Sequence, residues 1–156
     1  MATQLLMAKS PEEALGCKTS AAVFLAGGTE INRLGSDIAD KADILISLKK
    51  CSGLSAIEAT DGKVRIGAMC TFQQIVESDE VPAYLKDAAL FMASRTRRNM
   101  ATIGGNIAAM RSDSYVIPVL YAVGAQLTLL SADGEKEKDI ASYIDAPEDA
   151  GDIFIT

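Results

Sequence analysis

A short apolar run at residues 22–26 ends directly on Gly27-Gly28-Thr29, and a second apolar run follows at residues 43–48. This pairing constrains the fold more than any other feature. An apolar run carrying Val and Phe reads as a buried strand, and paired glycines turn the chain sharply with no Cβ in the way. Residues 30–34 then read as one or two helical turns, and residues 43–48 (D-I-L-I-S-L) as the next buried strand. Strand, turn, helix and strand in that order predict parallel strands joined by a right-handed crossover. Upstream, Ser10-Pro11-Glu12-Glu13 is a helix start. Ser10 can cap, Pro11 suits the first helical position, and Glu13 is placed to close a capping box. That helix is expected to end near Lys18.

The pattern changes after about residue 53. Residues 55–60 and 63–68 read as strands joined by Asp61-Gly62, a favoured two-residue hairpin turn. Thr71 caps a helix running to about Ser78, and a second helix fits residues 81–93. A polar, glycine-bearing segment follows at residues 94–110. Residues 114–123 read as a helix with Pro118 in its first turns. Residues 126–130 and 136–140 read as a hairpin around Asp133-Gly134, and residues 152–156 (D-I-F-I-T) as a strand. The 156 residues suit one domain or two small subdomains sharing an interface. The shift near residue 53 divides the chain into residues 1–53 and 54–156.

Composition removes several kinds of chemistry. The chain has no histidine, which excludes Ser-His-Asp or Cys-His catalysis and histidine metal ligands. Its three cysteines, Cys17, Cys51 and Cys70, lack CxxC spacing, so neither a disulfide framework nor a metal site is expected. They read as small buried apolar residues. Asp37, Asp40 and Asp43 read as a solvated turn, and Asp145, Glu148, Asp149 and Asp152 as an exposed acidic loop. Met92, Met100 and Met110 read as gap-fillers. No nucleophile has a base beside it, so no catalytic residue is assigned. A net charge of −6, no tryptophan and 5% aromatic content disfavour nucleic acid. The best apolar run, residues 116–125, is broken by Pro118 and Gly124, so no membrane span is expected. The first ten residues are too short and polar for a signal peptide. A reducing cytoplasm is the expected location.

Two double-glycine segments remain as candidates for binding. The first is Leu25-Ala26-Gly27-Gly28-Thr29-Glu30. The second, about seventy residues later, is Thr102-Ile103-Gly104-Gly105-Asn106. Successive glycines let backbone N–H groups converge on one point, and phosphate suits that geometry. For either segment alone, a simple tight turn fits equally well. Neither matches the GxGxxG fingerprint or the Gly-Lys-Thr phosphate loop. The charge distribution favours an anion. Residues 94–111 contain Arg95, Arg97, Arg98 and Arg111 with no acid, leaving −10 on the rest of a chain whose net charge is −6. The competing reading places Arg95, Arg97 and Arg98 at a helix C-terminus, where cations gain about 0.3–1 kcal/mol. Glu30 reads either as a ligand contact or as a first-turn helix acid.

In this order and spacing the segments resemble the FAD-binding subunit of the molybdenum hydroxylases, the family of xanthine dehydrogenase and aerobic carbon monoxide dehydrogenase. Ala26-Gly27-Gly28-Thr29 matches the family's A-G-G-T loop. Arg98 to Asn106 matches R-N-x-A-T-I-G-G-N without a gap. Ile66-Gly67-Ala68 with Thr71 matches I-G-A-x-x-T. The match runs from about residue 10 to residue 156, and its most specific part is Arg98 to Asn106. The resemblance implies an α+β, two-subdomain FAD-binding fold of the PCMH type. A small βαβ-containing N-terminal subdomain would pair with a larger mixed α/β subdomain, with FAD between them. It implies that both loops give N–H groups to the FAD pyrophosphate: Leu25, Ala26, Gly27, Gly28, Thr29 and Glu30 from the first, Thr102, Ile103, Gly104, Gly105 and Asn106 from the second. Side chains of Thr102 and Asn106 would add polar contacts.

The function implied is an oxidoreductase subunit, not active alone. It would pass electrons from iron–sulfur clusters through FAD to an external acceptor, and its partners would be a molybdopterin-binding large subunit and a 2Fe–2S small subunit. Two departures stand out. The family's A-S-P-x-x-D turn is replaced by Ala108-Ala109-Met110-Arg111-Ser112-Asp113-Ser114, so Asp113 falls two positions early for the aspartate near the adenosine. The family's usual C-terminal domain has no counterpart by residue 156. The departures motivate an alternative: a cofactor-free or weakly binding scaffold on the same fold.

Overall fold

The structure, a computed structural model, describes residues 4–146 and the backbone of residues 153 and 154. Strands β1 (Gln4–Met7), β2 (Ala22–Leu25) and β3 (Ile44–Ser47) form a parallel sheet in the order β1-β3-β2. The predicted strands at 22–26 and 43–48 are its neighbours. Ala22 pairs with Ile44 and Leu25 with Ser47, so the two strands end level. β1 has no counterpart in the sequence reading. It is four residues long and mostly exposed, and carries no pattern to detect. Helix α1 (Pro11–Gly16) links β1 to β2 and buries Pro11 and Ala14. Ser10 Oγ accepts from Glu13 N at 3.2 Å, as its capping role requires. The Glu13 carboxylate reaches Lys9 N (2.8 Å) rather than the cap residue's own N–H.

The segment 30–34 is a correction. It forms turns, with Asn32 N donating to Gly28 O and Arg33 N to Glu30 O. Gly28 (φ +72°) and Gly35 (φ +82°) bracket it, leaving too few residues to propagate a helix. The short helix between β2 and β3 is α2 (Ile38–Lys41).

The rest begins with the hairpin β4 (Ile57–Thr60) and β5 (Lys63–Ile66), in which Thr60 pairs with Lys63. Asp61 and Gly62 both have positive φ, at 52° and 75°, as a twisted two-residue turn demands. Helices α3 (Phe72–Glu77) and α4 (Ala83–Phe91) come next, α3 opening on a complete Thr71/Gln74 capping box. The polar, glycine-bearing segment holds two helices, α5 (Arg95–Arg98) and α6 (Ile103–Ala109). α7 (Val116–Ala122) carries Pro118 at its third position, where the missing N–H costs no helical bond.

Strands β6 (Gln126–Ser131), β7 (Gly134–Asp139) and β8 (Ile153–Phe154) form an antiparallel sheet with β6 central. The expected strand end at Ile140 is instead the start of α8 (Ile140–Asp145), because Asp139 caps it and accepts from Ser142 N at 2.9 Å. Glu148, Asp149 and Asp152 lie outside the described residues, as do the flanks of the expected strand 152–156.

Among the described residues, two apolar clusters hold the fold together. The larger centres on Phe72, Ile75, Val116, Leu129, Ile140 and Tyr143. The smaller packs Ala14, Ala22 and Ile46 of the parallel sheet and α1 against Leu54 and Leu130. Leu130 belongs to β6, so the second sheet braces the first. Cys51 and Cys70 are buried and Cys17 is half-buried. Burial pushes the thiols of Cys51 and Cys70 above their ordinary range.

Candidate functional site

The first double-glycine segment leaves β2 through Leu25, whose carbonyl is held by Leu48 N at 3.0 Å. Gly27 packs so closely on the other half of the molecule that a Cβ there would stand 1.8 Å from the Met100 carbonyl oxygen. Gly28 is left-handed, and its carbonyl accepts from both Asn32 N (3.0 Å) and Asn32 Nδ2 (2.9 Å). The N–H groups of Gly27, Gly28, Thr29, Glu30 and Ile31 donate to no acceptor among the described residues. Successive open donors on a glycine turn are the kind of arrangement from which anion-binding concavities are built.

The second segment is not a loop. Thr102 is the N-cap of α6, and Ile103, Gly104, Gly105 and Asn106 form its first turn. Their N–H groups are engaged: Ile103 with Cys70 O (3.0 Å), Gly104 with Ala68 O (2.9 Å), Gly105 with Thr102 Oγ1 (3.2 Å) and Asn106 with Thr102 O (3.0 Å). The open N–H groups thus lie on the first segment, and those of the second are engaged within the protein. The two glycines serve packing on opposite sides. A Cβ on Gly104 would stand 2.7 Å from Ala68 Cβ, whereas one on Gly105 would stand 2.8 Å from the capping Thr102 Oγ1, with Ala26 Cβ at 3.7 Å beyond. Asn106 contributes a side chain: its Oδ1 accepts from Ser114 Oγ at 2.8 Å, and its Nδ2 has no acceptor among the described residues.

The two segments meet in one cleft of about 270 Å³. Ala26, Gly27, Gly28, Thr29 and Glu30 line it from one side, and Thr102, Gly105, Asn106 and Asp113 from the other. Leu25, Ile103 and Gly104 do not line it. Leu25 supports Gly28 from beneath, and Ile103 and Gly104 face a separate groove of about 1040 Å³ between the β4–β5 hairpin and β6–β7. Phe24, Arg33, Phe72, Met92 and Arg97 also line the cleft. Sequence reasoning marks Arg97 only as one of a basic cluster; of the others, only Arg33, three residues after Glu30, carries a local hint.

Charge in the cleft is organised by Glu30 and Arg111. Glu30 Oε1 lies 2.8 Å from Arg33 Nε and 3.5 Å from the Arg111 guanidinium. Arg111 also binds Asp113 through two bonds, of 2.8 and 2.7 Å. The Arg111 hydrogen bonds hold the Asp113 carboxyl below its ordinary range, and Asp113 in turn raises Arg111. The remaining arginines diverge. Arg95 pairs with Glu77 at 3.1 Å in solvent. Arg98 donates to Gln73 Oε1 (3.1 Å) and to the Leu90 (3.2 Å) and Ala93 (2.5 Å) carbonyls at the end of α4. Arg98 is therefore a helix-end clamp, and Arg97 alone of the three faces the cleft. Arg98→Gln is expected to destabilise by about 2 kcal/mol, a fall in Tm of roughly 4–8 °C. Arg95→Gln should stay within about 0.5 kcal/mol in the same thermal melts.

Comparison with known proteins gives the family. Residues 1–154 match the family model described as the FAD binding domain in molybdopterin dehydrogenase. The Escherichia coli protein YgfM, itself uncharacterized, is 36% identical over 96% of this chain and 56% of its own length. The FAD-subunit of nicotinate dehydrogenase from Eubacterium barkeri is 28% identical over 88% of this chain and 49% of its own. Among solved structures, carbon monoxide dehydrogenase from Hydrogenophaga pseudoflava superposes with a TM-score of 0.86 at 25% identity, covering 99% of this chain and 57% of that one. The chain spans about half the length of the curated relatives it matches. It belongs to the family of FAD-binding domains of molybdopterin dehydrogenases, oxidoreductase components whose cofactor is FAD.

Proposed function

We propose that this chain is the FAD-binding portion of an electron-transfer subunit in a molybdenum-dependent dehydrogenase or hydroxylase. It receives electrons from iron–sulfur clusters and passes them through the flavin to an external acceptor. The observation that carries this reading is the run of open N–H groups from Gly27 to Ile31, set across one cleft from the free Nδ2 of Asn106. Hydrogen bonds from such donors to an ionised phosphate are short and about twice as strong as neutral ones. The cradle suits a diphosphate because successive N–H groups stay open along the cleft wall, while Gly27 lets that wall pack against Met100 and Gly28 supplies its left-handed turn.

In this reading Ala26 to Glu30 cradle the diphosphate, and the Thr102 and Asn106 side chains close on it. Asp113 lies at the Arg111 end, towards the adenosine. Leu25, Ile103 and Gly104 support the cradle without touching the ligand. Bound FAD supplies the redox chemistry; this chain's residues bind and orient it. Neither carboxylate of the cleft, Glu30 or Asp113, is assigned a proton-transfer step, since each is paired to arginine.

The cleft lies between the first three strands and the α3–α6 region, which supports division into subdomains 1–53 and 54–156. At about 270 Å³ it falls below the ~300–1,000 Å³ usual for small-molecule pockets. It holds the diphosphate better than the isoalloxazine. The partners are a molybdopterin-binding large subunit and a 2Fe–2S small subunit, in the cytoplasm, with neither nucleic acid nor membrane involved. No described helix is long and apolar enough to cross a membrane. The retained cradle speaks against a scaffold that has lost its cofactor.

The test is a thermal-shift and fluorescence titration of the chain with FAD, FMN and ADP. FAD is expected to bind more tightly than the other two, though more weakly than submicromolar. At a hundredfold excess over Kd it should stabilise by about 2.7 kcal/mol. No shift with FAD, or an equal response to all three, rejects the reading.

A further inference from the structure

The cleft's charges cancel except at one residue. Arg33, Glu30, Arg111 and Asp113 form a linked set of two cations and two anions. Arg97 lines the same cleft, is exposed, and has a guanidinium without a partner among the described residues. Its neighbours are committed elsewhere, Arg95 to Glu77 and Arg98 to Gln73 and the α4 carbonyls. Its position is fixed relative to the glycine cradle. The Arg97 carbonyl accepts from Met100 N (3.0 Å) and Ala101 N (2.8 Å), and Met100 is the residue on which Gly27 packs. Arg97 is thus one helical turn from the point where the first segment meets the second.

We infer that Arg97 is a specificity-determining residue, the charge contact that makes this cleft prefer a diphosphate-bearing flavin to an uncharged one. The inference rests on the FAD reading above. The open N–H groups satisfy phosphate oxygens but carry no net charge, and the other cleft arginines are already neutralised by carboxylates. A doubly anionic group entering this space leaves water and needs a cation to offset that loss. A planar guanidinium meets phosphate oxygens through two parallel bonds, which a lysine ammonium does less well.

The experiment is a flavin-fluorescence titration of the 156-residue chain with FAD and with riboflavin, at low and high salt. It compares the parent with Arg97→Gln, Arg97→Lys and Arg95→Gln. Arg97→Gln is expected to weaken FAD roughly ten- to fifty-fold and to flatten its salt dependence, leaving riboflavin binding and Tm unchanged. Arg97→Lys should recover part of the loss, and Arg95→Gln should match the parent. Parental FAD affinity and salt dependence in Arg97→Gln overturn the inference, as does an equal loss for riboflavin. A parent chain that binds no FAD rejects the FAD reading itself, and the inference with it. That outcome is distinct from a binding parent with an indifferent Arg97→Gln.

Discussion

Gly27→Ala is expected to abolish measurable FAD binding and to lower Tm by roughly 10 °C, equivalent to about 3–5 kcal/mol. The new Cβ would stand 1.8 Å from the Met100 carbonyl oxygen and 2.7 Å from its carbon. Both are backbone atoms, so no side chain can rotate away. Moving the Met100 peptide is resisted on every side. Met100 N and Ala101 N are bound to Arg97 O, Ala101 O accepts from Phe72 N at 3.0 Å, and Thr71 bridges Thr102 beyond it. The alternative is for the first segment to swing outward, which separates the two walls of the cleft. Gly28→Ala is the contrasting case. Its nearest neighbours would be side-chain atoms at 3.2 and 3.3 Å, and its cost comes from φ +72°, about 1–2 kcal/mol. Circular-dichroism melts and FAD titrations of both variants check this ranking. A Gly27→Ala chain with parental Tm and affinity means that the two segments do not meet as described.

The contrast between these glycines shows how far the sequence could be read. The parallel strands around Gly27-Gly28 are legible because an apolar run, a glycine pair and a second apolar run are local signals with one simple solution. The Asp61-Gly62 hairpin and the Thr71 and Ser10 caps are legible for the same reason: each is a short-range pairing of a side chain or turn residue with the backbone. The stretch after Gly28 misleads. Residues 30–34 have helix-compatible composition, yet glycines on both sides hold them in turns, and the helix forms at Ile38–Lys41 instead.

The arginines illustrate the limit for a site. Arg95, Arg97 and Arg98 are equivalent in sequence, a basic cluster that could face an anion or decorate a helix end. Their roles separate only when tertiary packing brings Glu77, Gln73 and the end of α4 beside them. The clamp and the cleft cation occupy adjacent residues, so the helix-end reading applies to Arg98, whereas the anion reading is the one proposed for Arg97. Likewise Gly104-Gly105 resembles a phosphate loop in composition but works as a helix turn pressed between two neighbours. Composition records that a side chain is excluded; it does not record whether a ligand or another backbone excludes it.

That packing role leads to a second large effect. Gly104→Ala is expected to destabilise by about 2–4 kcal/mol, lowering Tm by roughly 4–16 °C, although Gly104 does not line the cleft. The added Cβ would stand 2.7 Å from Ala68 Cβ and 2.8 Å from Ala68 O. It would push α6 off the carbonyl that its own N–H binds at 2.9 Å. Ala68 cannot retreat freely. Gly67 beside it is pressed against Leu54, where a Cβ would stand 2.4 Å from Leu54 O, and Met69 N donates to that same oxygen at 2.7 Å. The I-G-A segment and α6 therefore form one close-packed stack, with Gly105 and Ala26 on its cleft side. Ala68→Gly removes the Cβ contact and leaves the carbonyl oxygen and Cα in place, so the double variant should recover part of the lost stability. A double-mutant cycle in urea or heat measures that coupling, expected at about 1–2 kcal/mol. Strict additivity would mean that α6 and Ala68 are not in contact. FAD affinity should fall with Gly104→Ala and return in step with stability in the double variant, because displacing α6 carries Thr102 and Asn106 away from the Gly27–Ile31 donors.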